Sequence, residues 1–154
     1  MRLILFQPDI PQNTGTLLRL AACFGLPVDL IEPCGFVFGG PHMRRAGMDY
    51  LDQVDLTRHM SWSAYQALPH AGRLIVLSTK GETLLTDAQF MPEDRLLLGR
   101  ESAGVPPDVA EAAECRVRIP LRPNARSLNV AIAGAIAVSE ALRQTDGFLQ
   151  LGCS

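Results

Sequence analysis

Polar side chains stand at the starts of two predicted helices, where they could bind a substrate. Asn13 and Arg19 lie six positions apart around the start of the first helix, and Arg19 interrupts the apolar run LLRLAACF. A charge within such a run requires a partner, because an unpaired buried charge is costly. Ser127 and Asn129 open the last helix, where free N–H groups bind polar ligands. This pattern indicates a ligand site, although a solvent-facing Arg19 and a capping Ser127 fit it as well.

Three glycines lie at predicted strand ends and allow the backbone to approach a ligand closely. Gly81, Gly99 and Gly104 belong to the segments STKG and GRESAG, and a residue without a Cβ leaves room for close contact. Loops that carry free N–H and C=O groups can bind the edge of an adenine without charged side chains. Each glycine alone fits an ordinary turn, but together the three predict the rim of a pocket.

The positive charge of the chain is almost entirely arginine. Lys80 is the only lysine, and no acidic residue lies between Glu114 and Glu140. That interval contains Arg116, Arg118, Arg122 and Arg126. The net charge of −2 argues mildly against a nucleic-acid partner. The guanidinium fork nevertheless suits phosphate, and a run of arginines without a counter-charge favours an anionic ligand over a solvated strand and loop.

Several common types of site are missing from the sequence. It contains no GxSxG, P-loop, HExxH or GxGxxG motif. No two cysteines have CxxC spacing and the three histidines have no spaced partner, so we expect no metal. No apolar run is long enough for a membrane span. Residues 3–6 are too short for the core of a signal peptide. These features predict a cytoplasmic protein.

The alternation of short apolar runs with helical patterns predicts an α/β fold. The predicted strands are residues 2–7, 28–31, 74–78, 96–98 and 116–121, and the predicted helices are residues 14–24, 61–68, 107–113 and 127–143. Such an order favours a mostly parallel sheet flanked by helices, with ligands at the carboxyl ends of the strands. A length of 154 residues and an apolar content of 47% predict one domain over residues 1–154.

The last predicted helix is apolar on nearly every face. Its small residues are Ala131, Ala133, Gly134, Ala135 and Ala137, and its larger apolar residues form a stripe of Leu128, Ile132, Ile136 and Leu142. A helix of this composition is expected to be buried. It would pack closely against another helix, which belongs either to the same chain or to a second subunit.

Three segments together resemble the motifs of the SPOUT superfamily of RNA methyltransferases. They are residues 8–25, 96–109 and 118–144, in the family's order and spacing. The intervening IEPCGF, RRAGMDY and STKG are similar to the subgroup that methylates the ribose 2′-oxygen of cytidine or uridine at wobble position 34 of tRNA. The resemblance extends over nearly the whole chain.

This resemblance implies a fold, a cofactor and partners. The fold would be an α/β knot, in which a deep C-terminal trefoil knot binds S-adenosyl-L-methionine. The partners would be the anticodon loop of tRNA and a second copy of the chain, joined through the first and last helices into a homodimer. The positions that match the cofactor site are Leu77, Gly99, Ile119, Ser127 and Leu128. Arg19 matches the general base, and the matching polar positions around it are Asn13, Glu101, Ser127 and Asn129.

Two departures from the subgroup leave other functions open. Arg100 stands where the subgroup has proline, and Asn129 is followed by Val-Ala-Ile in place of Leu-Ser-Asn. The alternatives are a knotted 2′-O-methyltransferase for another tRNA or rRNA ribose, and a knotted RNA-binding protein without catalysis. A small nucleotide-binding α/β protein without an RNA partner is the third. The five matching polar positions disfavour the non-catalytic alternative, and the arginine run disfavours the last.

Overall fold

All strands of the described residues form one parallel sheet. The computed structural model describes residues 1–41, 43 and 48–152. The strands are β1 Arg2–Phe6, β2 Val28–Ile31, β3 Leu56–His59, β4 Leu74–Leu77, β5 Thr83–Leu84, β6 Arg95–Leu98 and β7 Cys115–Arg118. Their order is β3-β2-β1-β6-β4-β7-β5, and every pairing is parallel. The predicted parallel α/β fold is confirmed.

Within the described residues, four α-helices and two short 3₁₀ helices with defined bounds connect the strands. The α-helices are α1 Pro11–Phe24, α2 Trp62–Gln66, α3 Pro107–Glu111 and α4 Val130–Gln144, and the 3₁₀ helices are Met48–Gln53 and Gly147–Leu151. Helix α1 begins three residues earlier than predicted, because Pro11 occupies the first helical position, which its fixed φ favours. It ends as predicted at Gly25, whose φ of 62° suits a residue without Cβ.

The two faces of the sheet carry separate apolar cores. Alternate side chains of β1 point to opposite faces. Leu3 and Leu5 belong to the core that contains α1 and α4, whereas Ile4 and Phe6 pack with Trp62 and other residues of α2 and α3. Because both faces are covered, the strands are apolar runs with little alternation, as in other parallel sheets.

The small residues of α4 face the core of their own chain. A Cβ added at Gly134 would lie 2.7 Å from Leu98 Cδ1 and 2.9 Å from Leu17 Cδ2. The expected close helix packing therefore occurs within the monomer. Part of the apolar stripe is not buried within the single chain, where Ile132 and Ile136 are 55% and 39% exposed.

Several element boundaries differ from the prediction. Strands β3 and β5 were not expected, and β7 ends at Arg118, before the predicted end at residue 121. The last helix begins at Val130, three residues later than predicted. The motif residues 44–47 lie outside the described part of the chain. Within the described residues, no helix has the length and apolarity to cross a membrane.

Candidate functional site

A pocket of about 830 Å³ opens at the carboxyl ends of β4, β6 and β7. Leu77 and Leu98 end two of these strands, and Ile119 directly follows the third. The residues that lead into α4 close the other side. This is the edge of a parallel sheet at which ligands are expected to bind.

Most of the candidate site residues line this pocket. They are Asn13, Leu77, Gly99, Glu101, Ile119, Ser127, Leu128 and Asn129. Four separate parts of the chain supply them: the start of α1, the ends of β4 and β6, and the segment between β7 and α4. The fold therefore brings together residues that are up to 116 positions apart, as in the pair Asn13 and Asn129.

Arg19 lies elsewhere. It is exposed on α1, with Cζ 4.8 Å from the centroid of the Tyr50 ring, and it is not among the residues that line the pocket. A helix turns by about 100° per residue, so six positions place Arg19 on a different side of α1 from Asn13. The six-residue spacing therefore does not bring Arg19 to the same side of the helix as Asn13.

Two glycines allow backbone segments to touch beside the pocket. A Cβ at Gly99 would lie 2.7 Å from the carbonyl carbon of Gly104, and a Cβ at Gly81 would lie 2.5 Å from that of Val117. Arg100 and Gly104 also exchange two backbone hydrogen bonds of 2.9 Å. No side chain fits at Gly81 or Gly99 in this arrangement.

A chain of hydrogen bonds joins the loop after β6, the first turn of α1 and the start of α4 at the pocket wall. The Asn13 Nδ2 donates to Glu101 Oε1 at 3.3 Å, and Asn129 Nδ2 donates to Asn13 Oδ1 at 2.8 Å. Asn129 Oδ1 in turn accepts from the backbone N–H groups of Ala131 and Ile132. Asn129 is therefore the N-cap of α4. The prediction that Ser127 begins this helix is wrong, because the capping oxygen is two residues further along.

Sequence reasoning missed Asp9, which is bonded directly to Glu101. Asp9 N donates to Glu101 Oε2 at 2.9 Å, and Asp9 Oδ1 accepts from Glu101 N at 3.2 Å. The Ser102 hydroxyl also donates to the Asp9 carboxylate. The Glu101 side chain first, and then the Ser102 hydroxyl and the backbone N–H groups of Glu101 and Ser102, lower the pKa of Asp9 to about 2. Burial, followed by the neighbouring Asp9, raises the pKa of Glu101. The position of Asp9 shortly after β1 was the available signal.

Basic side chains surround the opening. Lys80, Arg118, Arg122 and Arg126 line the pocket and are exposed, and we call them the basic rim. Arg116 does not belong to it, because its guanidinium pairs with Glu82, an acidic residue outside the interval considered in the sequence. Of the four arginines between Glu114 and Glu140, the three in the basic rim are thus available to an anionic ligand. Among the described residues, no group of three His, Cys, Asp or Glu could hold a metal ion.

Comparison with known proteins identifies relatives over most of this chain. Residues 1–139 match the SpoU rRNA Methylase family. A protein of Beijerinckia indica subsp. indica named tRNA (cytidine(34)-2′-O)-methyltransferase is 58% identical over 144 residues, which are 92% of this chain and 90% of the relative. The Escherichia coli K12 protein of the same name is 37% identical over 146 residues, which are 94% and 93% of the two chains.

Solved structures agree with these relatives. One structure concerns the 2-OH methylation of C/U34 on tRNA and superposes on this chain with a TM-score of 0.87. The two sequences are 44% identical, and the match covers 93% of this chain and 94% of the other. AviRb from Streptomyces viridochromogenes, a SpoU methyltransferase in complex with AdoMet, has a TM-score of 0.80 and 25% identity, over 94% of this chain and 60% of its own. The predicted SPOUT membership is confirmed. The chain belongs to the SpoU rRNA Methylase family.

Proposed function

We propose that this protein is an S-adenosyl-L-methionine-dependent methyltransferase that modifies the ribose 2′-oxygen of wobble nucleotide 34 in tRNA. The observation that carries the proposal is the hydrogen-bonded chain of Glu101, Asn13 and Asn129 in the wall of a pocket at the strand ends. The two relatives described above carry the name of this activity. The basic rim supplies the positive charge that an RNA backbone requires.

The pocket fits the cofactor in size and in backbone character. Its volume of about 830 Å³ is in the usual range for small-molecule sites. The contact between Gly99 and Gly104 leaves backbone groups, and no side chain, at that part of the wall. The residues that would hold the cofactor are Leu77, Gly99, Ile119, Ser127 and Leu128. S-adenosylmethionine would supply a methyl group already activated by its sulfonium.

The polar residues of the wall would orient the acceptor ribose. We assign this role to Asn13, Glu101, Ser127 and Asn129, since all four line one pocket. Holding the 2′-oxygen in line with the methyl group lowers the activation free energy by several kcal/mol, because the translational and rotational freedom has already been lost on binding. Arg19 would contact the 2′-oxygen, whose proton must leave as the methyl group passes from the sulfonium sulfur to that oxygen. Because a guanidinium ion is already protonated, a phosphate of the RNA would assist Arg19 in accepting this proton.

Arg19 requires a homodimer for this role. It lies on the exposed side of α1 and outside the pocket of its own chain. On the adjacent α4, Ile132 and Ile136 expose apolar surface, which is typical of a protein interface. We therefore propose that two chains pair through α1 and α4. Arg19 of one chain would then serve the pocket of its partner.

The dimer can be tested on the exposed face of α4. A glutamate at Ile132 would place a charge in the proposed interface without entering the core, because this side chain is 55% exposed. We expect Ile132→Glu to give the monomer mass in light scattering. Met60→Glu is the matched control, since Met60 is 80% exposed directly after the edge strand β3 and should leave the dimer intact. A dimeric Ile132→Glu protein would contradict the proposed interface.

Three further assignments complete the proposal. Residues 1–154 would form one methyltransferase domain, since the described strands share a single sheet. The C-terminal segment would pass through a loop as a trefoil knot. The contact at Gly81 supports this, because it brings the loop after β4 against the backbone of β7, the strand that leads into the C-terminal segment. A tRNA substrate would place the protein in the cytoplasm.

Methylation of defined tRNAs tests the activity. Purified protein, S-adenosylmethionine and tRNA transcripts are incubated, and the methylated nucleotide is located by mass mapping. We expect one methyl group at nucleotide 34, and none on a matched tRNA that carries a 2′-deoxynucleotide there. Methylation at another tRNA position, or of rRNA only, would overturn the nucleotide assignment. Cofactor binding without methylation of any RNA would indicate a non-catalytic RNA-binding protein.

A further inference from the structure

Asp9 joins the loop after β1 to the loop after β6 through both its backbone and its side chain. Its N–H donates to Glu101 Oε2, while its carboxylate accepts from the N–H of Glu101 and from the hydroxyl of Ser102. Each of the two acidic residues therefore binds the backbone of the other. This reciprocal pair fixes the Glu101 side chain from both ends, because neither residue can rotate without losing a bond.

The surroundings leave Asp9 little freedom. Its side chain is 16% exposed, and Arg100 Nε lies 3.8 Å from its Oδ2. The backbone of Gly35 packs directly against Asp9, since a Cβ added at Gly35 would lie 2.6 Å from the Cβ of Asp9. Gly35 N also donates a hydrogen bond of 2.9 Å to Pro8 O. Asp9 is therefore held against the backbone of a third loop.

The contacts of Asp9 continue across the pocket wall. Glu101 Oε1 accepts from Asn13, which accepts from Asn129, which caps α4. A displacement of Glu101 would thus change the partner of Asn13 and, through it, the orientation of Asn129. Polar networks of this kind act as a unit.

We propose that Asp9 is a positioning residue that holds Glu101, and through it Asn13 and Asn129, in the orientation required for methyl transfer. This inference rests on the proposed function. Asp9 itself is not among the residues that line the pocket. It acts only through Glu101. The low pKa of Asp9, about 2, means that its carboxylate remains an acceptor at every pH at which the protein is handled.

A double-mutant cycle separates this role from a general structural one. Asp9→Ala keeps the Cβ that packs on Gly35 and removes only the carboxylate. We expect it to lower kcat about ten-fold, with KM for tRNA and Kd for S-adenosylmethionine changed less than about two-fold. In the Glu101→Gln background the same change should lower kcat by less than about two-fold, because the residue through which Asp9 acts is already impaired. Asp87→Ala, which removes an exposed carboxylate bonded to Thr86, is the control.

Amide hydrogen exchange gives a second readout that does not depend on activity. In Asp9→Ala we expect faster exchange at Glu101, and also at Ala131 and Ile132, whose N–H groups bind Asn129. Full additivity of the two substitutions, or unchanged exchange at Ala131 and Ile132, would overturn the positioning role. If the wild-type protein methylates no RNA, the proposed function fails, and the exchange result alone decides the inference.

Discussion

Arg19→Ala is expected to lower the turnover of methyl transfer by at least about 100-fold, the lower end of what a positioned proton-transfer group contributes. Affinity for S-adenosylmethionine should be unchanged, because the residues assigned to hold the cofactor do not include Arg19, whose proposed contact is with the 2′-oxygen of the RNA. Single-turnover kinetics with tRNA would measure the rate of methyl transfer, and titration calorimetry would measure the affinity for S-adenosylmethionine. Arg58→Ala is a matched control, since Arg58 Cζ lies 4.9 Å from the centroid of the Phe38 ring, much as Arg19 lies over Tyr50. Wild-type turnover in Arg19→Ala would remove Arg19 from the reaction.

A mixing experiment shows which chain Arg19 serves. If it acts in the partner's pocket, a mixed dimer of Arg19→Ala and Glu101→Gln subunits has one pocket with both residues intact. Random pairing of the two impaired proteins should then raise the rate to about one quarter of the wild-type rate, because half of the dimers are mixed and one pocket in each is complete. No recovery, after exchange of subunits has been verified by mass, would show that Arg19 acts within its own chain.

Gly81→Ala is expected to destabilise the protein by at least about 3 kcal/mol, at the upper end of the usual cost of overpacking. The added Cβ would meet the carbonyl carbon and oxygen of Val117 at 2.5 and 2.7 Å, and the carbonyl oxygen of Arg116 at 2.8 Å. All three are backbone atoms of β7, so relief requires a strand to move, whereas a side chain could turn away. Urea denaturation followed by circular dichroism would measure the loss.

The neighbouring Lys80 provides the control for that substitution. Lys80→Ala removes an exposed side chain from the same loop, and substitutions of this kind usually change stability by less than about 0.5 kcal/mol. The loop also lines the pocket, so Gly81→Ala should weaken cofactor binding as well. A Gly81→Ala protein with the urea midpoint of the wild type would show that the two backbone segments can separate at little cost.

The sequence was sufficient to predict the parallel α/β architecture, because buried parallel strands are distinctive apolar runs. The strand at residues 74–78 was recognised from its Leu-Ile-Val-Leu sequence, and β4 occupies nearly that range. Strand β3 was missed because it is an edge strand of mixed polarity, with Thr57 and Arg58 exposed. Strand β5 has only two residues, which is too short for any periodicity. Both strands are defined by their neighbours in the sheet.

The sequence was sufficient to predict most residues of the candidate site but not the hydrogen bonds between them. Motif similarity named Asn13, Glu101 and Asn129, yet their hydrogen bonds depend on loops that meet only in the folded chain. No motif identified Asp9, because its role depends on the hydrogen bonds that it exchanges with Glu101 in the folded chain. The spacing of Arg19 and Asn13 separates them around α1, but which of the two faces the pocket depends on which side of the helix the fold buries.

The bonding of Asn129 limits what the pocket wall can recognise. Its carbonyl oxygen accepts from two N–H groups at the start of α4, which uses both of its lone pairs and fixes which end of the amide is nitrogen. One hydrogen of that nitrogen goes to Asn13. A single hydrogen is left to face a bound molecule, so Asn129 can only donate. Asn129 can therefore bind an oxygen of the ligand through a lone pair of that oxygen, but it cannot accept a hydrogen bond from a ligand hydroxyl. An aspartate at this position would keep the helix start and reverse the polarity of the wall.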